Sequence, residues 1–312
     1  MINIATVHWQ TPKWIDAQLH YVDRCFDAPY RVFAALNGID DSTQFARFHY
    51  AADLEGGHAS KLNQLAELIA ESSDPSDILI FLDGDAFPVQ PMARWVTDTL
   101  AQVELTAVRR DENLGDMQPH PSFCATTVGF WKDIGGDWLP GGTWVNSAGR
   151  EVADTGGNLL YALRERQIDW LPLLRTNTFN PHPVWFGLYH HRIYHHGAGF
   201  QATRVERVDW AERYQQNPAA GRALRPTEAD PSLGTLRTAL AGDRQALRRL
   251  RPATVARATV KTVRLRLEHR HYVKLTDTER GRNLEALGEE VFHQLSVDDD
   301  FYRRFDDDAP AW

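Results

Sequence analysis

The chain has 312 residues, 43% of them hydrophobic and 24% charged, a composition that excludes a disordered or fibrous protein. Its net charge of −8 gives it no electrostatic reason to bind nucleic acid. The two cysteines, Cys25 and Cys124, lack the spacing of a thiolate zinc site or a disulfide framework, which favours a reducing compartment. No apolar run approaches the roughly 18 to 20 residues that span a bilayer, and the N-terminus does not resemble a signal peptide. We therefore expect a soluble, cytoplasmic protein.

The first hundred residues alternate predicted strands with predicted helices. Residues 2–8 form a short apolar, β-branched run, residues 14–26 have helical spacing, and residues 30–36 return to strand character. A weak third strand is predicted over residues 45–51, and Gly56-Gly57 precedes an amphipathic helix. This order predicts an α/β fold with a mainly parallel, doubly wound sheet flanked by helices.

The strongest predicted strand, residues 78–82, runs directly into Asp83-Gly84-Asp85. Its continuous apolar character is typical of a central strand that is buried on both faces. Ligands of such sheets bind beyond the carboxyl ends of the strands, and carboxylates there are suitable ligands for Mg²⁺ or Mn²⁺. Asp-Gly-Asp is also common in turns, so a polar corner without a metal remains an alternative.

The second half of the chain divides by composition. Strands are predicted at residues 105–108 and 122–131, and a helix at residues 155–166. We predict a catalytic domain over residues 1–205 and a mainly helical C-terminal extension over residues 206–312. Within the extension the Arg-rich segment 236–282 is a candidate for binding an anionic membrane surface or an acidic acceptor, or for self-association through an Asp-rich tail, with a solvated helix face as the alternative.

Three segments together resemble the GT-A glycosyltransferases of the family-2 type. Residues 78–87, ILIFLDGDAF, resemble the DxD strand of that family. Residues 124–131 and the following Gly135-Gly136-Asp137-Trp138 resemble its acceptor-side strand and loop, and residues 154–164 resemble its ED-containing helix start. The resemblance covers about residues 1–205 by pattern. It implies a Rossmann-like GT-A fold and transfer of a hexose from a nucleoside-diphosphate sugar, UDP- or GDP-linked, to a hydroxyl acceptor, with Mn²⁺ or Mg²⁺ as the cofactor.

The resemblance also implies roles for individual acidic residues. Asp85 would be a direct metal ligand, while Asp83 would bind the metal or reach the donor ribose or a bound water. Asp154 matches the base that deprotonates the acceptor in inverting enzymes. The sequence departs from the family here, because Ala153 replaces the usual Glu and Gly156-Gly157 are unusual in a first helical turn. A helix N-cap remains the alternative role for Asp154.

A histidine-rich stretch, residues 190–199, resembles the late strand in which many GT-A enzymes place a histidine near the metal. A neutral imidazole can complete a Mn²⁺ coordination sphere. We predict His196 as this ligand and His195 as the second choice, since His196 lies next to Gly197. A structural histidine is the alternative, and an all-histidine zinc site lacks an accompanying HExxH pattern.

Donor binding in this fold falls to the loop after the first strand and the end of the second. Trp9 could stack on a nucleobase, and Lys61 could meet a phosphate at the start of its helix. Core packing for Trp9 and turn chemistry for Asn37 and Asp40 remain alternatives. The predicted donor-binding residues are Thr6, His8, Trp9, Gln10, Asn37, Asp40, Lys61, Asp83 and Gly84.

Two other functions compete with this interpretation. A HAD-like phosphotransferase also has an Asp-x-Asp after an apolar strand, although Phe87 stands where that family expects Thr or Val. A non-catalytic sugar-binding protein would use aromatic residues as stacking platforms, the candidates being Trp138, Trp144, Trp185 and Tyr189. The sequence leaves open the donor base and sugar, the acceptor, the stereochemistry and the oligomeric state.

Overall fold

The computed structural model describes residues 1–147, 149–182, 184–197, 199 and 279–307, and the side chains of residues 279–285 are not among them. The predicted boundary at residue 205 and residues 236–278 of the Arg-rich segment therefore lie outside the described residues. The strands are β1 Ile2–Trp9, β2 Tyr30–Asn37, β3 Tyr50–Ala52, β4 Ile78–Asp83, β5 Ala86–Pro88, β6 Leu105–Val108, β7 His120–Thr127, β8 Trp144–Val145, β9 Glu151–Val152, β10 Leu171–Leu173, β11 Gly187–Tyr189 and β12 Ile193–His195. The helices are α1 Lys13–Cys25, α2 Ser42–Phe45, α3 His58–Glu71, α4 Ala93–Leu100, α5 Val128–Ile134, α6 Gly157–Glu165 and α7 Glu279–Val297, with a 3-10 turn at Phe301–Arg304.

Seven strands form the central sheet in the order β10-β6-β7-β4-β1-β2-β3. All of its pairings are parallel except those of β7, which runs antiparallel to both β4 and β6. Helices α1 and α4 pack on one face, and α3, α5 and α6 pack on the other. The predicted mainly parallel α/β sheet flanked by helices is confirmed.

The alternation of side chains along the central strands explains why both faces are apolar. Ile4 of β1 and Ile80 of β4 lie in the cluster that contains α1, whereas Ala5 and Phe81 lie in the cluster that contains α3. All four side chains are at most 1% exposed. A strand that is covered on both sides needs apolar residues at every position, as the sequence of residues 78–82 predicted.

Two predicted elements differ from the observed ones. The predicted strand over residues 122–131 ends at Thr127, whose Oγ1 accepts a hydrogen bond of 3.1 Å from the backbone N of Phe130 and so caps α5. The predicted strand over residues 45–51 is mostly absent, because α2 occupies Ser42–Phe45 and β3 begins only at Tyr50. In both places a Ser, Thr or Asp cap starts a helix within an otherwise β-branched or aromatic segment.

Residues 287–305 of the C-terminal segment pack against α1 and the small sheet β11-β12-β5. Tyr302 is fully buried, and its hydroxyl accepts a 2.8 Å hydrogen bond from Nε2 of Gln90. Tyr21 of α1 donates from its hydroxyl to the carbonyl of Leu295 at 3.1 Å. This part of the predicted extension therefore shares a core with the first 200 residues. None of the helices in the described residues has the length and apolar character that a membrane span requires.

Helix α6 begins two residues later than predicted because Gly156 occupies its N-cap with a φ of 89°. A Cβ at Gly156 would lie 2.3 Å from the carbonyl oxygen of Pro119. We expect Gly156→Ala to lower the free energy of unfolding by about 2 kcal/mol or more, because left-handed strain and a backbone clash add. Urea unfolding measures this. Gly135→Ala is the matched control, since Gly135 also has positive φ but open space around it, and should cost about 1 kcal/mol. Equal losses in the two variants would contradict the clash.

Candidate metal centre and adjoining pocket

The polar ends of three central strands meet at one edge of the sheet. Register pairs Val7 of β1 with Asp83 of β4, and Trp9 of β1 with Asn37 of β2. Because these strands are parallel, their carboxyl ends point the same way. Strand β1 lies between β2 and β4, and the chain continues from β1 to β2 on one side only. In doubly wound sheets a ligand crevice opens at such a point.

Asp83, Asp85 and His195 form a cluster whose ligand atoms all lie within 4.8 Å of one another. Nε2 of His195 is 3.5 Å from Oδ1 of Asp85 and 3.7 Å from Oδ2 of Asp83. The antiparallel pairing of β12 with β5 places His195 opposite Ala86, beside the Asp83–Asp85 turn. Two carboxylate oxygens and one imidazole nitrogen fit a divalent cation such as Mn²⁺.

His196, the histidine predicted from sequence as the metal ligand, adjoins Asp85 but is not part of this three-residue cluster. Its Nδ1 is 3.0 Å from the Tyr194 hydroxyl, and its ring centroid is 4.5 Å from that of Trp14. Burial lowers the pKa of His196 to about 3, so the ring is neutral. Neighbouring residues at the end of a strand point to opposite faces, and here His195 takes the face toward the carboxylates. The second choice from sequence, His195, is therefore the histidine beside Asp83 and Asp85.

Asp85 is held through both its side chain and its backbone. Its Oδ2 accepts a 2.9 Å hydrogen bond from the backbone N of Gly199, and its backbone oxygen accepts one of 3.0 Å from the N of His196. Burial would raise the pKa of Asp85, but the charge and hydrogen bond of His195, with the amide of Gly199, outweigh it and hold the pKa well below its usual range. Asp85 is therefore ionised although it is only 4% exposed.

Two further histidines flank Asp83 and were not singled out from sequence. Nε2 of His58, the first residue of α3, lies 3.1 Å from Oδ1 of Asp83, and Nδ1 of His120 lies 3.8 Å from Oδ2. Burial lowers the pKa of His58, but the charge of Asp83 and a hydrogen bond to it raise the pKa by more. For His58, the glycines before α3 were a sequence signal that a helix starts at the ligand-binding edge. No sequence signal marked His120, because its position depends on the pairing of β7 with β4.

Thr6 and His8, predicted as donor-binding residues, are instead interior. Both are fully buried, and both side chains bind Oε1 of Gln18 of α1, Thr6 Oγ1 at 3.0 Å and His8 Nε2 at 3.1 Å. The amide nitrogen of Gln18 donates to the carbonyls of Asp83 and Ala86 at 2.8 Å each. Gln18 therefore joins β1 to the Asp83–Asp85 turn. The side chains of Thr6 and His8 point from β1 toward α1, away from the open edge of the sheet.

The hydrogen bonds of Gln18 fix the tautomer of His8. Because the amide nitrogen of Gln18 already donates to two carbonyls, its oxygen must accept, so His8 donates from Nε2. Burial lowers the pKa of His8 from 6.5 to about 4.

We expect His8→Gln to make stability less sensitive to acid. The folded pKa of His8 lies below the unfolded value, so the unfolded chain binds the extra proton, and stability that is present above pH 6.5 is lost as the pH falls toward 4. Between pH 7.5 and pH 4, protonation of His8 in the unfolded chain lowers the free energy of unfolding by about 3 kcal/mol. The variant should not show this part of the decrease. Urea unfolding at both pH values gives the difference. His49→Gln at an exposed site is the control, and an unchanged pH dependence in His8→Gln would contradict the assignment.

Trp9, the last residue of β1, and Lys61 of α3 pack against each other at the carboxyl edge of the sheet. The Trp9 side chain is 43% exposed, and Nζ of Lys61 lies 4.5 Å from the centroid of its ring. Lys61 is only 2% exposed, and burial lowers the pKa of its ammonium group, with the charge of Asp53 opposing the shift. A flat aromatic face and a cation at the edge of a sheet suit a nucleobase and a phosphate.

Asn37 and Asp53 lie at the same edge, Asn37 at the end of β2 and Asp53 directly after β3. Nδ2 of Asn37 donates to the carboxylate of Asp53 and to the carbonyl of Leu54, the latter at 2.7 Å. The backbone N of Gln10 donates to the carbonyl of Asn37 at 2.7 Å, with Gln10 in the left-handed region at a φ of 60°. Asp40 is exposed in the loop after β2, and Gly84 is buried in the turn. Asp53 was not identified from the sequence, because the strand before it was predicted over residues 45–51, whereas β3 is Tyr50–Ala52.

Asp154, the predicted base, is half-buried just before α6. Its Oδ1 accepts from the backbone N of the next residue, Thr155, at 2.9 Å, and the N-cap is Gly156 without a side-chain cap. The alternative role of Asp154 as the helix N-cap is therefore wrong. Gly156 lies against the carbonyl of Pro119, which directly precedes His120 and so connects this loop to the surroundings of Asp83.

A buried ion pair lies near Asp154. Nη2 of Arg110 donates to Oδ2 of Asp116 at 3.1 Å, and both residues are at most 9% exposed. Burial raises the pKa of Asp116 to about 6, with Arg110 lowering it and the charge of Asp154 raising it further. Asp116 and Arg110 were not identified from sequence, because the loop that carries them has no regular pattern.

The aromatic residues proposed as sugar platforms are mostly interior. Trp138 and Tyr189 are fully buried and Trp144 is 4% exposed. Trp185 is half-buried with its ring 4.3 Å from that of His182. The first three therefore offer no open face for stacking.

No family model matches the chain, and no curated protein sequence matches it. Solved structures of glycosyltransferases do match. The mannosyltransferase PcManGT from Pyrobaculum calidifontis, in complex with GDP-Man and Mn²⁺, is 12% identical over 98% of this chain and 87% of that chain, with a TM-score of 0.41. The galactosyltransferase LgtC, with donor and acceptor sugar analogs, is 12% identical over 70% of this chain and 95% of that one, with a TM-score of 0.37.

Two further matches are partial. An active-site mutant of LgtC is 12% identical over 42% of this chain, with a TM-score of 0.30, and TarS of S. aureus is 11% identical over 44%, with a TM-score of 0.35. The matches cover 59% of the mutant LgtC chain and 30% of the TarS chain, less than two thirds of either length.

Proposed function

We propose that this chain is a metal-dependent glycosyltransferase that transfers a hexose from a nucleoside-diphosphate sugar to a hydroxyl acceptor. The observation that carries the proposal is the cluster of Asp83, Asp85 and His195 at the carboxyl edge of β4. Trp9 ends the neighbouring strand β1 at the same edge, and Lys61 of α3 packs against its ring. A cation site beside an aromatic and cationic pocket suits a ligand that combines a diphosphate with a nucleobase.

The two carboxylates and the imidazole are compatible as ligands with Mn²⁺ or Mg²⁺, and the imidazole of His195 favours Mn²⁺. When bound, such a cation would neutralise the donor diphosphate and stabilise the charge that develops on the departing phosphate. Asp83, Asp85 and His195 would hold it. Gln18 fixes the backbone of the turn from behind by binding the carbonyls of Asp83 and Ala86. The carboxylates are therefore oriented before any ligand arrives.

The donor nucleotide is assigned to the pocket of Trp9, Lys61, Asn37 and Asp53. The exposed face of Trp9 would stack on the base, and the Asp53 carboxylate, which Asn37 orients, would accept hydrogen bonds from ribose hydroxyls or the base. Lys61 would place its charge near the phosphates. Gln10 and Asp40 stay candidates at the rim of this pocket.

Asp154 is the proposed base toward the acceptor hydroxyl, which favours inversion. Asp154 is half-buried two residues before Gly156, which lies against the carbonyl of Pro119, the residue before His120. The buried ion pair of Arg110 and Asp116 lies close enough for the charge of Asp154 to act on it. A half-buried carboxylate beside the surroundings of Asp83 is a suitable general base.

A thermal-shift panel tests donor binding. We expect Mn²⁺ together with UDP, GDP or one of their sugars to raise the melting temperature more than either component alone, since both bind only the folded chain. Trp9→Ala should weaken the nucleotide affinity about tenfold or more and leave Mn²⁺ binding unchanged, because base stacking is lost. Phe179→Ala, at another exposed aromatic side chain, is the control.

The same panel separates the competing functions. A shift with no nucleotide, or an equal shift in Trp9→Ala, would contradict the donor assignment. Hydrolysis of a phosphate monoester by the wild-type chain, lost in Asp83→Asn, would favour the phosphotransferase. A shift with free sugars alone would favour the binding protein.

A further inference from the structure

A hydrogen-bonded path joins Trp14 of α1 to Asp85 through the backbone of one glycine. Nε1 of Trp14 donates to the carbonyl of Gly199 at 3.3 Å, and the backbone N of Gly199 donates to Oδ2 of Asp85 at 2.9 Å. Trp14 is fully buried. The proposed reaction has no use for Trp14 itself, which does not belong to the metal cluster or to the donor pocket.

The backbone at Gly199 has no room to move between the indole and the carboxylate. A Cβ at this position would lie 2.7 Å from both Trp14 Nε1 and Asp85 Oδ2. These distances are shorter than real Cβ contacts, so only glycine lets the backbone approach both groups. The position of Gly199 is thus set by Trp14 on one side and by Asp85 on the other.

The ring of Trp14 packs against the C-terminal helix, while its Nε1 is held by the hydrogen bond to Gly199. Phe292 of α7 meets the Trp14 ring edge-on with centroids 4.6 Å apart, and the His196 ring lies 4.5 Å away. Lys13, next to Trp14, forms a 2.6 Å ion pair with Glu289 of α7. Helix α7 therefore contributes to the burial of the indole.

The hydrogen bond from the backbone N of Gly199 makes the two carboxylate oxygens of Asp85 differ in their contacts. Oδ2 is engaged by the Gly199 amide, and Oδ1 is the oxygen that faces Nε2 of His195 at 3.5 Å. Rotation of the carboxylate out of its present plane would weaken the hydrogen bond from the Gly199 amide. The amide thus keeps Oδ1 directed at the cluster of Asp83, Asp85 and His195.

We infer that Trp14 is a positioning residue for the metal centre, acting through Gly199 to hold the Asp85 carboxylate in its ligating orientation. The inference rests on the proposed metal site. Groups that orient a metal ligand change metal affinity without touching the ion.

Mn²⁺ titration of the purified full-length chain, followed by the EPR signal of free Mn²⁺, tests the inference. Trp14→Phe keeps a buried aromatic ring but lacks the donor, and should weaken Mn²⁺ binding about three- to tenfold. Phe292→Leu is the matched control, because it disturbs packing against the same ring but leaves Nε1 in place. It should bind Mn²⁺ within about twofold of wild type even where its melting temperature falls as far as that of Trp14→Phe.

The outcomes distinguish the inference from the proposed function. Wild-type affinity in Trp14→Phe, or an equal loss in Phe292→Leu, would overturn the role of Trp14 while the metal site stands. Absence of Mn²⁺ binding by the wild-type chain would overturn the metal site and the inference together. Asp85→Asn, which should abolish binding, shows that the measured Mn²⁺ occupies this site.

Discussion

Replacing Asp85 by asparagine is expected to lower kcat/KM for donor turnover by about 100-fold or more. The substitution keeps the shape of the side chain and an oxygen for the Gly199 amide, but it removes the negative charge. A cation held at this site supplies several kcal/mol of charge stabilisation to the leaving diphosphate, and each 1.36 kcal/mol corresponds to a factor of ten in rate. Asp85 is ionised in the folded chain, so the full charge is lost on substitution.

The measurement is the initial rate of nucleoside diphosphate release at several Mn²⁺ concentrations. Asp27→Asn, which removes an exposed carboxylate after α1, is the matched control for the change in net charge. Raising the Mn²⁺ concentration should not restore the Asp85 variant, whereas a variant with only weaker binding would recover. Activity of Asp85→Asn within about threefold of wild type would exclude a metal ligand at this position.

Asp154→Asn is expected to lower the rate of sugar transfer by about 100- to 10,000-fold, as for other general bases. Binding of Mn²⁺ and nucleotide should be unchanged, because Asp154 belongs to neither the metal cluster nor the donor pocket. The amide can still accept from the backbone N of Thr155, so the loop before α6 should keep its conformation. The predicted effect therefore falls on kcat and leaves the donor affinity as it was.

Transfer is measured in single-turnover experiments with saturating donor, and Glu165→Gln at the exposed end of α6 is the control. An Asp154→Asn variant that transfers sugar at the wild-type rate would remove Asp154 from the mechanism. If Asp116→Asn alone then lost the activity, the base would be Asp116, whose pKa burial raises to about 6.

The architecture of the sheet could be predicted because its cause is local. The run of residues 78–82 is apolar at every position, as a strand covered on both faces requires, and the carboxylates of Asp83 and Asp85 follow it directly. Their position at the carboxyl edge then follows from the parallel arrangement alone. The register of β1 against β4 confirms that edge.

The surroundings of the carboxylates depend on long-range pairing and could not be predicted. The choice between His195 and His196 depends on how β12 pairs with β5, because the pairing decides which histidine side chain lies on the same face as the carboxylates. His120 approaches Asp83 only because β7 pairs with β4. The burial of Thr6 and His8 follows from Gln18, a single polar residue on the inner face of α1.

The central claim is tested most directly by incubating the purified chain with UDP-glucose, UDP-galactose and GDP-mannose, with and without Mn²⁺, and measuring nucleoside diphosphate release by chromatography. We expect that at least one donor is turned over with Mn²⁺, that turnover stops when a chelator is added, and that Asp85→Asn is inactive. Release that is equally fast in Asp85→Asn, or that is indifferent to the metal, would contradict a metal-dependent glycosyltransferase.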